Sequence, residues 1–297
     1  YHNIRESPVV DQLAFGDSSQ LTFIDRDVNQ LQIISDRGYG SVGWENDTPR
    51  VHSAVVSEDT AYVFDATDYS QVGSYSYPSA DLTGRDELST GMFSHHPNND
   101  HMALAHRESN IIKIVDTTNS YSEVTTIDAG SSTGEGLQGG VEYSPDGQYL
   151  AFANGGISGL YGLYERDGNT YTFVDDNSGD ENDSNTNNAN SIHWERDGEH
   201  LWISNDQNAP TYDSYRYSVP NMNIVGGTPY EDKHIRDTPI QTGGARMVEA
   251  ARQNSASDGY LQLLRPDGSD LDNVTGAGTV TELDKIQQSC VSAAWVY

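Results

Sequence analysis

Short runs of apolar residues, separated by polar turns, recur along the whole chain. One unit has such runs at residues 140–143, 149–154, 159–165 and 171–175, with Gly, Pro, Asp and Asn between them. Runs of this length bounded by turn residues are typical of β-strands and too short for most helices. The pattern therefore predicts an all-β chain built from units of four short strands, which we label a to d.

The same unit recurs at other places in the chain. Residues 191–198 and 200–205 repeat strand a, an Asp-Gly turn and strand b, and the two Asp-Gly pairs begin at Asp146 and Asp197, 51 residues apart. Upstream, residues 91–128 keep the same order with a longer a–b turn. A four-stranded unit repeated around a ring is the signature of a β-propeller.

We predict a single domain over residues 1–297, an all-β propeller of about six four-stranded blades. Predicted blades 2 to 6 lie near residues 41–77, 90–128, 139–175, 190–226 and 240–284. Blade 6 fits the pattern poorly because residues 245–251 could also begin a helix, so five or seven blades stay open. In blade 1 the N-terminal residues 9–34 supply strands b to d, and we predict that the C-terminal run 292–297 supplies strand a and closes the ring.

Three aspartates close apolar runs just before polar turns, namely Asp25, Asp65 and Asp116. An Asp side chain in this place accepts hydrogen bonds from the backbone of the turn that follows. We therefore predict that these carboxylates serve turns and bind no ligand.

The run Ser-Pro-Asp-Gly-Gln-Tyr-Leu-Ala-Phe-Ala-Asn at 144–154, with its looser copies, resembles WD40-like and YVTN-type propeller repeats. This resemblance covers most of the chain and implies the propeller shape. No Gly-His with Trp-Asp pair recurs in each blade, so a strict WD40 assignment is not supported. Propellers host binding, scaffolding and catalysis alike, so the resemblance brings no catalytic residues with it.

The chain is strongly acidic, with 45 acidic against 16 basic residues and a net charge of −29. Nucleic acid is excluded as a partner because its phosphates would be repelled. Only three of the basic residues are lysines, and this composition resembles that of proteins from extreme halophiles. A dense carboxylate surface stays hydrated where molar salt shortens the Debye length to about 3 Å. No run approaches the roughly 18 apolar residues of a membrane-spanning helix.

Two further features bear on location. Cys290 is the only cysteine, so no internal disulfide can form. N-glycosylation sequons at Asn46, Asn182 and Asn273 fit an exported protein. We therefore expect an extracellular, cell-surface or virion-surface protein of a halophilic archaeon or of a virus that infects one.

A blade places its a–b and c–d turns on one face, which we call the turn face, and its b–c turns and blade-to-blade connections on the other, the connection face. The connection face carries the longest acidic loops, and variable loops on a rigid scaffold are common binding sites. The predicted binding surface comprises Asp81, Asp86, Glu87, Glu135, His106, Asn154 and Asn205.

One connection loop offers a group of hard oxygen ligands suited to Ca²⁺. They are Asp175, Asp176, Asp180, Glu181 and Asp183. The spacing matches no known calcium loop, and a hydrated acidic surface explains the segment equally well. Ca²⁺ is the cofactor that this part of the sequence suggests, and no cofactor is established by it.

Histidines concentrate on the turn face of blades 2 and 3, at His52, His95, His96 and His101. Three imidazoles with an open fourth position would suit Zn²⁺ or Cu²⁺. The alternative is that each histidine lies separately in a polar turn.

The sequence holds no Gly-x-Ser-x-Gly elbow, no phosphate-binding glycine loop and no His-Glu-x-x-His. We predict a non-catalytic propeller that binds a protein or a glycan through the connection face, alone or within a larger assembly. Two alternatives stay open. One is a Ca²⁺-dependent propeller hydrolase of lactonase type with His106, Asn154 and Asn205 as channel ligands, and the other is a histidine-based metal-binding propeller.

Overall fold

The computed structural model describes most of the repeat units and the turns that join their strands. The described residues are 4–6, 10, 12–16, 20–25, 30–39, 42–55, 60–76, 93–98, 100–105, 111–129, 140–153, 161–176, 187–195, 197–207, 212–229, 233–237, 247–253 and 259–264. These residues form strands and turns throughout. Within them, no helix is long and apolar enough to cross a membrane.

The described strands pair into antiparallel sheets, each built from strands that are consecutive in the chain. Sheet 1 contains β1 (Ile4–Glu6), β2 (Gln12–Gly16), β3 (Leu21–Asp25) and β4 (Gln30–Ile34). Sheet 2 contains β5 (Val42–Trp44), β6 (Arg50–Val55), β7 (Thr60–Asp65) and β8 (Gln71–Ser76). Sheet 3 contains β9 (Phe93–His95), β10 (His101–Ala105), β11 (Ile111–Asp116) and β12 (Ser122–Asp128).

The second half of the chain continues this order. Sheet 4 contains β13 (Gly140–Tyr143), β14 (Tyr149–Ala153), β15 (Tyr161–Asp167) and β16 (Thr170–Asp176). Sheet 5 contains β17 (Asn187–Trp194), β18 (His200–Gln207), β19 (Tyr212–Ser218) and β20 (Asn223–Pro229). Sheet 6 has three strands among the described residues, β21 (Lys233–Asp237), β22 (Met247–Gln253) and β23 (Gly259–Leu264).

The apolar core is divided into clusters that lie between consecutive sheets. Phe23 of sheet 1 packs edge-on against Trp44 of sheet 2, with ring centroids 6.4 Å apart. Further clusters join sheet 2 to sheet 3, sheet 3 to sheet 4 and sheet 4 to sheet 5. Each fully buried large side chain contributes roughly 2 kcal/mol. Sheets 2, 3 and 4 are therefore each stabilised by the sheets before and after them, as in a propeller.

The first strands of consecutive sheets lie side by side. A Cβ atom at Gly43 in β5 would come within 2.4 Å of the Phe93 Cβ atom in β9, so this approach requires glycine. Further along, the Tyr143 backbone N–H donates to the Ser94 hydroxyl oxygen at 2.9 Å. The Trp194 indole N–H donates to the Glu142 carbonyl at 3.0 Å. These contacts join the inner strands of sheets 2 to 5.

Sheets 2 to 5 coincide with the predicted blades 2 to 5, whereas sheet 1 corrects the prediction for blade 1. The N-terminal residues supply all four strands of sheet 1, and β1 lies beside β5, the first strand of sheet 2. The innermost position, which we had assigned to residues 292–297, is therefore occupied by Ile4–Glu6. A three-residue strand with two charged residues gives too little apolar pattern to recognise in the sequence. Residues 292–297 lie outside the described part of the chain.

Sheet 6 begins earlier than predicted, at Lys233 rather than near residue 240. The helical alternative for residues 245–251 is wrong, because Met247–Gln253 forms a strand that pairs with both of its neighbours. The described residues leave the total number of blades and the closure of the ring as predictions.

The prediction that aspartates at strand ends serve turns is confirmed for two of the three. Asp65 Oδ1 accepts the Thr67 N–H at 2.8 Å, and Asp116 Oδ1 accepts the Thr118 N–H at 2.9 Å. The threonine hydroxyls donate to the same oxygens. The turn after Asp25 lies outside the described residues.

Candidate functional site on the turn face

The first residue after strand a occupies the same place in sheets 2 to 5. Its backbone N–H donates to the carbonyl of the first residue of strand b, at 2.8 to 3.0 Å, and each a–b turn has the same length. The longer a–b turn predicted for residues 91–128 is therefore wrong. This position, which we call the turn anchor, is held by Glu45, His96, Ser144 and Glu195. All four side chains are polar and buried. Buried polar groups require partners, so these residues are the first candidates for chemistry.

Glu45 lies in a buried acid–histidine–hydroxyl arrangement. Its Oε1 is 2.9 Å from His52 Nε2, and His52 Nδ1 is 2.8 Å from the Tyr75 hydroxyl oxygen. A carboxylate can only accept, so Nε2 carries a hydrogen and donates it to Glu45. The Thr48 hydroxyl donates to the other carboxylate oxygen at 2.5 Å. Burial by itself raises the pKa of Glu45, but these hydrogen bonds outweigh it and the pKa lies below its ordinary value.

The order of these groups resembles a catalytic triad, yet its environment does not permit catalysis. Glu45 is 1% exposed and His52 is 0% exposed, while Tyr121 and Phe93 pack against the imidazole from sheet 3. Burial raises the pKa of Tyr121 to about 12. A general base must come within hydrogen-bonding reach of a substrate, and the side chains of Glu45 and His52 are buried from solvent. The arrangement therefore joins sheets 2 and 3 and fixes the turn.

His96 holds the same position in sheet 3 and contacts the next sheet. Its Nδ1 accepts the Asn98 N–H at 3.0 Å, and its Nε2 lies 3.1 Å from the Gly147 carbonyl oxygen. The Arg166 guanidinium nitrogen Nη1 also lies 3.1 Å from Nε2. Burial, followed by the charge of Arg166, lowers the pKa of His96 to about 4. His96 therefore acts as a hydrogen-bonding spacer between two turns.

Ser144 and Glu195 complete the series. The Ser144 hydroxyl donates to Asp146 Oδ1 at 2.6 Å and accepts the Tyr149 N–H at 2.9 Å, so it is used within its own turn. Glu195 accepts the Trp202 indole N–H at 2.8 Å. It also forms a two-point ion pair with Arg216, at 2.6 and 2.8 Å. A charge-assisted pair of this geometry fixes the carboxylate firmly.

The structure places the four predicted metal-ligand histidines as follows. Both ring nitrogens of His52 and of His96 have partners in the fold. His95 stands where the other sheets have Trp44, Tyr143 and Trp194 and acts as a packed ring; its two nitrogens have no hydrogen-bond partner. Burial lowers the pKa of His95 and of His101. Among the described residues, the group with three converging ligand atoms is Glu195, Asp197 and His200 and includes none of the four.

The other predicted site residues fall mostly outside the described part of the chain. Those outside it are Asp81, Asp86, Glu87, His106, Glu135, Asn154, Asp180, Glu181 and Asp183. Asp175 and Asp176 end strand β16, and Asn205 lies within β18. The calcium site and the connection-face surface stay predictions.

A polar groove of about 310 Å³ lies on the turn face between sheets 2 and 3. Its lining residues are Arg50, Val72, Gly73, Ser74, Thr117, Thr118, Ser120 and Tyr121. One guanidinium among several hydroxyls makes the groove a polar contact surface with no nucleophile–base pair among its lining residues.

The turn-anchor series is not among the residues predicted from the sequence, although the sequence carries a signal for it. Trp44-Glu45 and Trp194-Glu195 repeat an aromatic–acid pair at the end of strand a, and His95-His96 and Tyr143-Ser144 align with them. The contacts of Glu45 with His52 and of Glu195 with Arg216 could not be read from spacing alone.

Comparison with solved structures indicates the fold of this chain. The chain is similar to KlHsv2 with loop 6CD replaced by a Gly-Ser linker, with a TM-score of 0.58 and 9% identity over 89% of this chain and 77% of that one. It is similar to a chain of a mitotic checkpoint complex, with a TM-score of 0.63 and 12% identity over 90% and 81%. For Hsv2 of Kluyvelomyces marxianus the TM-score is 0.57, with 10% identity over 89% and 75%. These neighbours indicate a WD40-like β-propeller fold. No protein-family model and no curated protein matches the chain.

Proposed function

We propose that the protein is a non-catalytic β-propeller scaffold that binds a protein partner. The observation that carries this proposal is the use of the turn-anchor side chains, which are buried and bonded within the fold. The one acid–histidine–hydroxyl arrangement found among the described residues is sealed from solvent. What remains accessible is a rigid stack of sheets with turns and loops at its two faces. One structural neighbour is a chain of a mitotic checkpoint complex, and this supports a role in assembly.

We further propose that the partner is basic and docks on the acidic loops of the connection face. The net charge of −29 favours a cationic surface, and electrostatic complementarity accelerates association. A glycan is the alternative ligand for these loops. A Ca²⁺-dependent hydrolase has no described observation in its favour.

Binding of a cationic peptide tests this proposal. The peptide is first selected from a display library for binding to the immobilised protein. We expect the combined variant Asp81→Asn, Asp86→Asn and Glu87→Gln to weaken binding about tenfold or more. The matched control, with the same loss of charge on the turn face, is Asp47→Asn, Asp146→Asn and Glu199→Gln, and it should bind as the wild type does. Loss of binding in the control alone, or turnover of a lactone and ester panel, would contradict the proposal.

We also propose that the protein works in concentrated salt, outside a cell or on a virion. The support is the excess of 29 negative charges, whose mutual repulsion destabilises the compact state unless it is screened. We expect the unfolding midpoint to rise by roughly 5 °C or more, about 1–2 kcal/mol for a domain of this size, between low and molar KCl. Thermal unfolding at a series of KCl concentrations measures this. A midpoint that stays constant or falls would rule out the high-salt proposal.

Six blades remain our proposal for the ring, with the fourth strand of sheet 6 supplied by residues after Leu264. Class averages of the particle viewed down its axis count the blades directly, and five or seven would refute this number.

A further inference from the structure

The a–b turn of sheet 5 brings together three side chains that bind metals. His200 Nδ1 lies 2.9 Å from Asp197 Oδ2 and 3.5 Å from Glu195 Oε2. Three ligand atoms, one from each of these residues, all lie within 4.8 Å of one another. The side chains of His200 and Asp197 are 23% and 43% exposed, so an ion can reach them from solvent.

These separations suit a small tetrahedral ion. Zinc binds histidine nitrogen and carboxylate oxygen at about 2.0–2.2 Å, which requires ligand atoms about 3.3 Å apart. The two measured separations, 2.9 and 3.5 Å, fall on either side of this value. Small rotations of Asp197 and His200 would bring both to it. A nitrogen ligand with two carboxylates also favours Zn²⁺ over Ca²⁺, which prefers oxygen ligands alone.

Glu195 is held in position by groups that leave it able to bind an ion. Oε1 accepts hydrogen bonds from Trp202 and Arg216, whereas Oε2 accepts one from Arg216. Oε2, the oxygen that faces His200, therefore keeps a second lone pair for an ion. Hydrogen bonds to a ligating carboxylate orient it and are a regular feature of metal sites. Two carboxylates and one guanidinium leave a net charge of −1, so a divalent cation is not repelled.

The repeat itself shows that this combination is specific to sheet 5. In sheets 2 to 5 the a–b turns have equal length, so residues correspond by position. The three places hold Glu45, Asp47 and Arg50 in sheet 2; His96, Asn98 and His101 in sheet 3; Ser144, Asp146 and Tyr149 in sheet 4. None of these three sets combines two carboxylates with a histidine. Among sheets 2 to 5, the combination of two carboxylates with a histidine is therefore found in sheet 5 alone.

We propose that Glu195, Asp197 and His200 form a Zn²⁺ site on the turn face, with a fourth position open to water or to a ligand from a partner. Glu195 keeps its hydrogen bonds to Trp202 and Arg216 in this site, so the site is compatible with the proposed scaffold function. It lies on the turn face, opposite the face that we predict to carry the acidic loops.

Titration of the chelator-treated protein with Co²⁺, followed in the visible spectrum, tests this site. We expect one equivalent of Co²⁺ to give the absorption of a tetrahedral complex and Zn²⁺ to displace it. His200→Tyr places in sheet 5 the residue that sheet 4 carries, so the turn should fold, and Asp197→Asn keeps the turn hydrogen bond. Each should weaken binding at least about tenfold. The control Asp47→Asn, at the corresponding carboxylate of sheet 2, should leave binding unchanged.

A second measurement distinguishes loss of the metal site from a folding defect of the variant. Zn²⁺ should raise the unfolding midpoint of the wild type and of Asp47→Asn, because it binds the folded state, and should leave that of His200→Tyr and Asp197→Asn unchanged. Wild-type protein that binds no stoichiometric Co²⁺ overturns the site. Full Co²⁺ binding by both variants would also overturn the site.

Discussion

Replacement of Glu45 by alanine is expected to lower the free energy of unfolding by about 3 kcal/mol, because it removes one partner of a buried, hydrogen-bonded pair. His52 would keep its place at 0% exposure with Nε2 facing a cavity, and Thr48 would lose the acceptor of its hydroxyl. Chemical denaturation measures the loss. The loss is largest near neutral pH.

The control for this substitution is Asp47→Ala in the same turn. Asp47 is exposed, so its removal should change stability by no more than about 0.5 kcal/mol. The pKa of Glu45 is below its ordinary value of 4.5, so its ionised form stabilises the fold above that pH. This contribution is lost as the pH falls through the pKa in the folded state. The difference between wild type and Glu45→Ala should therefore shrink in acid, and equal effects of the two substitutions would contradict this account of Glu45.

Gly147→Ala is expected to lower the free energy of unfolding by about 3 kcal/mol or more, because two unfavourable effects add. Gly147 has a φ of +75°, where a side chain costs about 1–2 kcal/mol. A Cβ atom would also lie 2.3 Å from His96 Nε2, a buried ring held by hydrogen bonds on both sides. The ring would have to move, and the contact between sheets 3 and 4 would open with it. Thermal and denaturant unfolding measure the loss.

Gly198→Ala separates the two effects. Gly198 occupies the same Asp-Gly turn one sheet later with a φ of +71°, but a Cβ atom there would meet only Pro145 Cδ at 4.0 Å. We expect Gly198→Ala to lower the free energy of unfolding only by the cost of a side chain at positive φ, about 1–2 kcal/mol. Equal losses for the two glycines would show that the His96 contact has no importance.

The sequence predicted the repeated strands well, because each short apolar run is bounded by residues with a clear turn function. Asp65 and Asp116 confirm that reasoning at the level of single hydrogen bonds. The prediction of strands from apolar runs failed at β1, because Ile4–Glu6 is too short and too charged to show a pattern. It also failed at β21, which begins at Lys233 with little apolar signal.

The candidate sites were harder to predict than the strands. Histidines near one another in the sequence suggested a metal site, but His52 and His96 are each used by neighbours 23 and 51 residues away. Whether an imidazole nitrogen is available depends on such distant partners. The residues that do converge, Glu195, Asp197 and His200, were visible as one turn in the sequence, yet only the geometry of that turn distinguishes them from the acidic groups elsewhere.

We propose that the buried turn-anchor groups serve the fold rather than a reaction. A double-mutant cycle on Glu45 and His52 tests it most directly, with unfolding free energies of the wild type, Glu45→Ala, His52→Ala and the double variant. We predict a coupling energy of about 2 kcal/mol, because the two side chains share one buried hydrogen bond. Losses that add without coupling would contradict the claim.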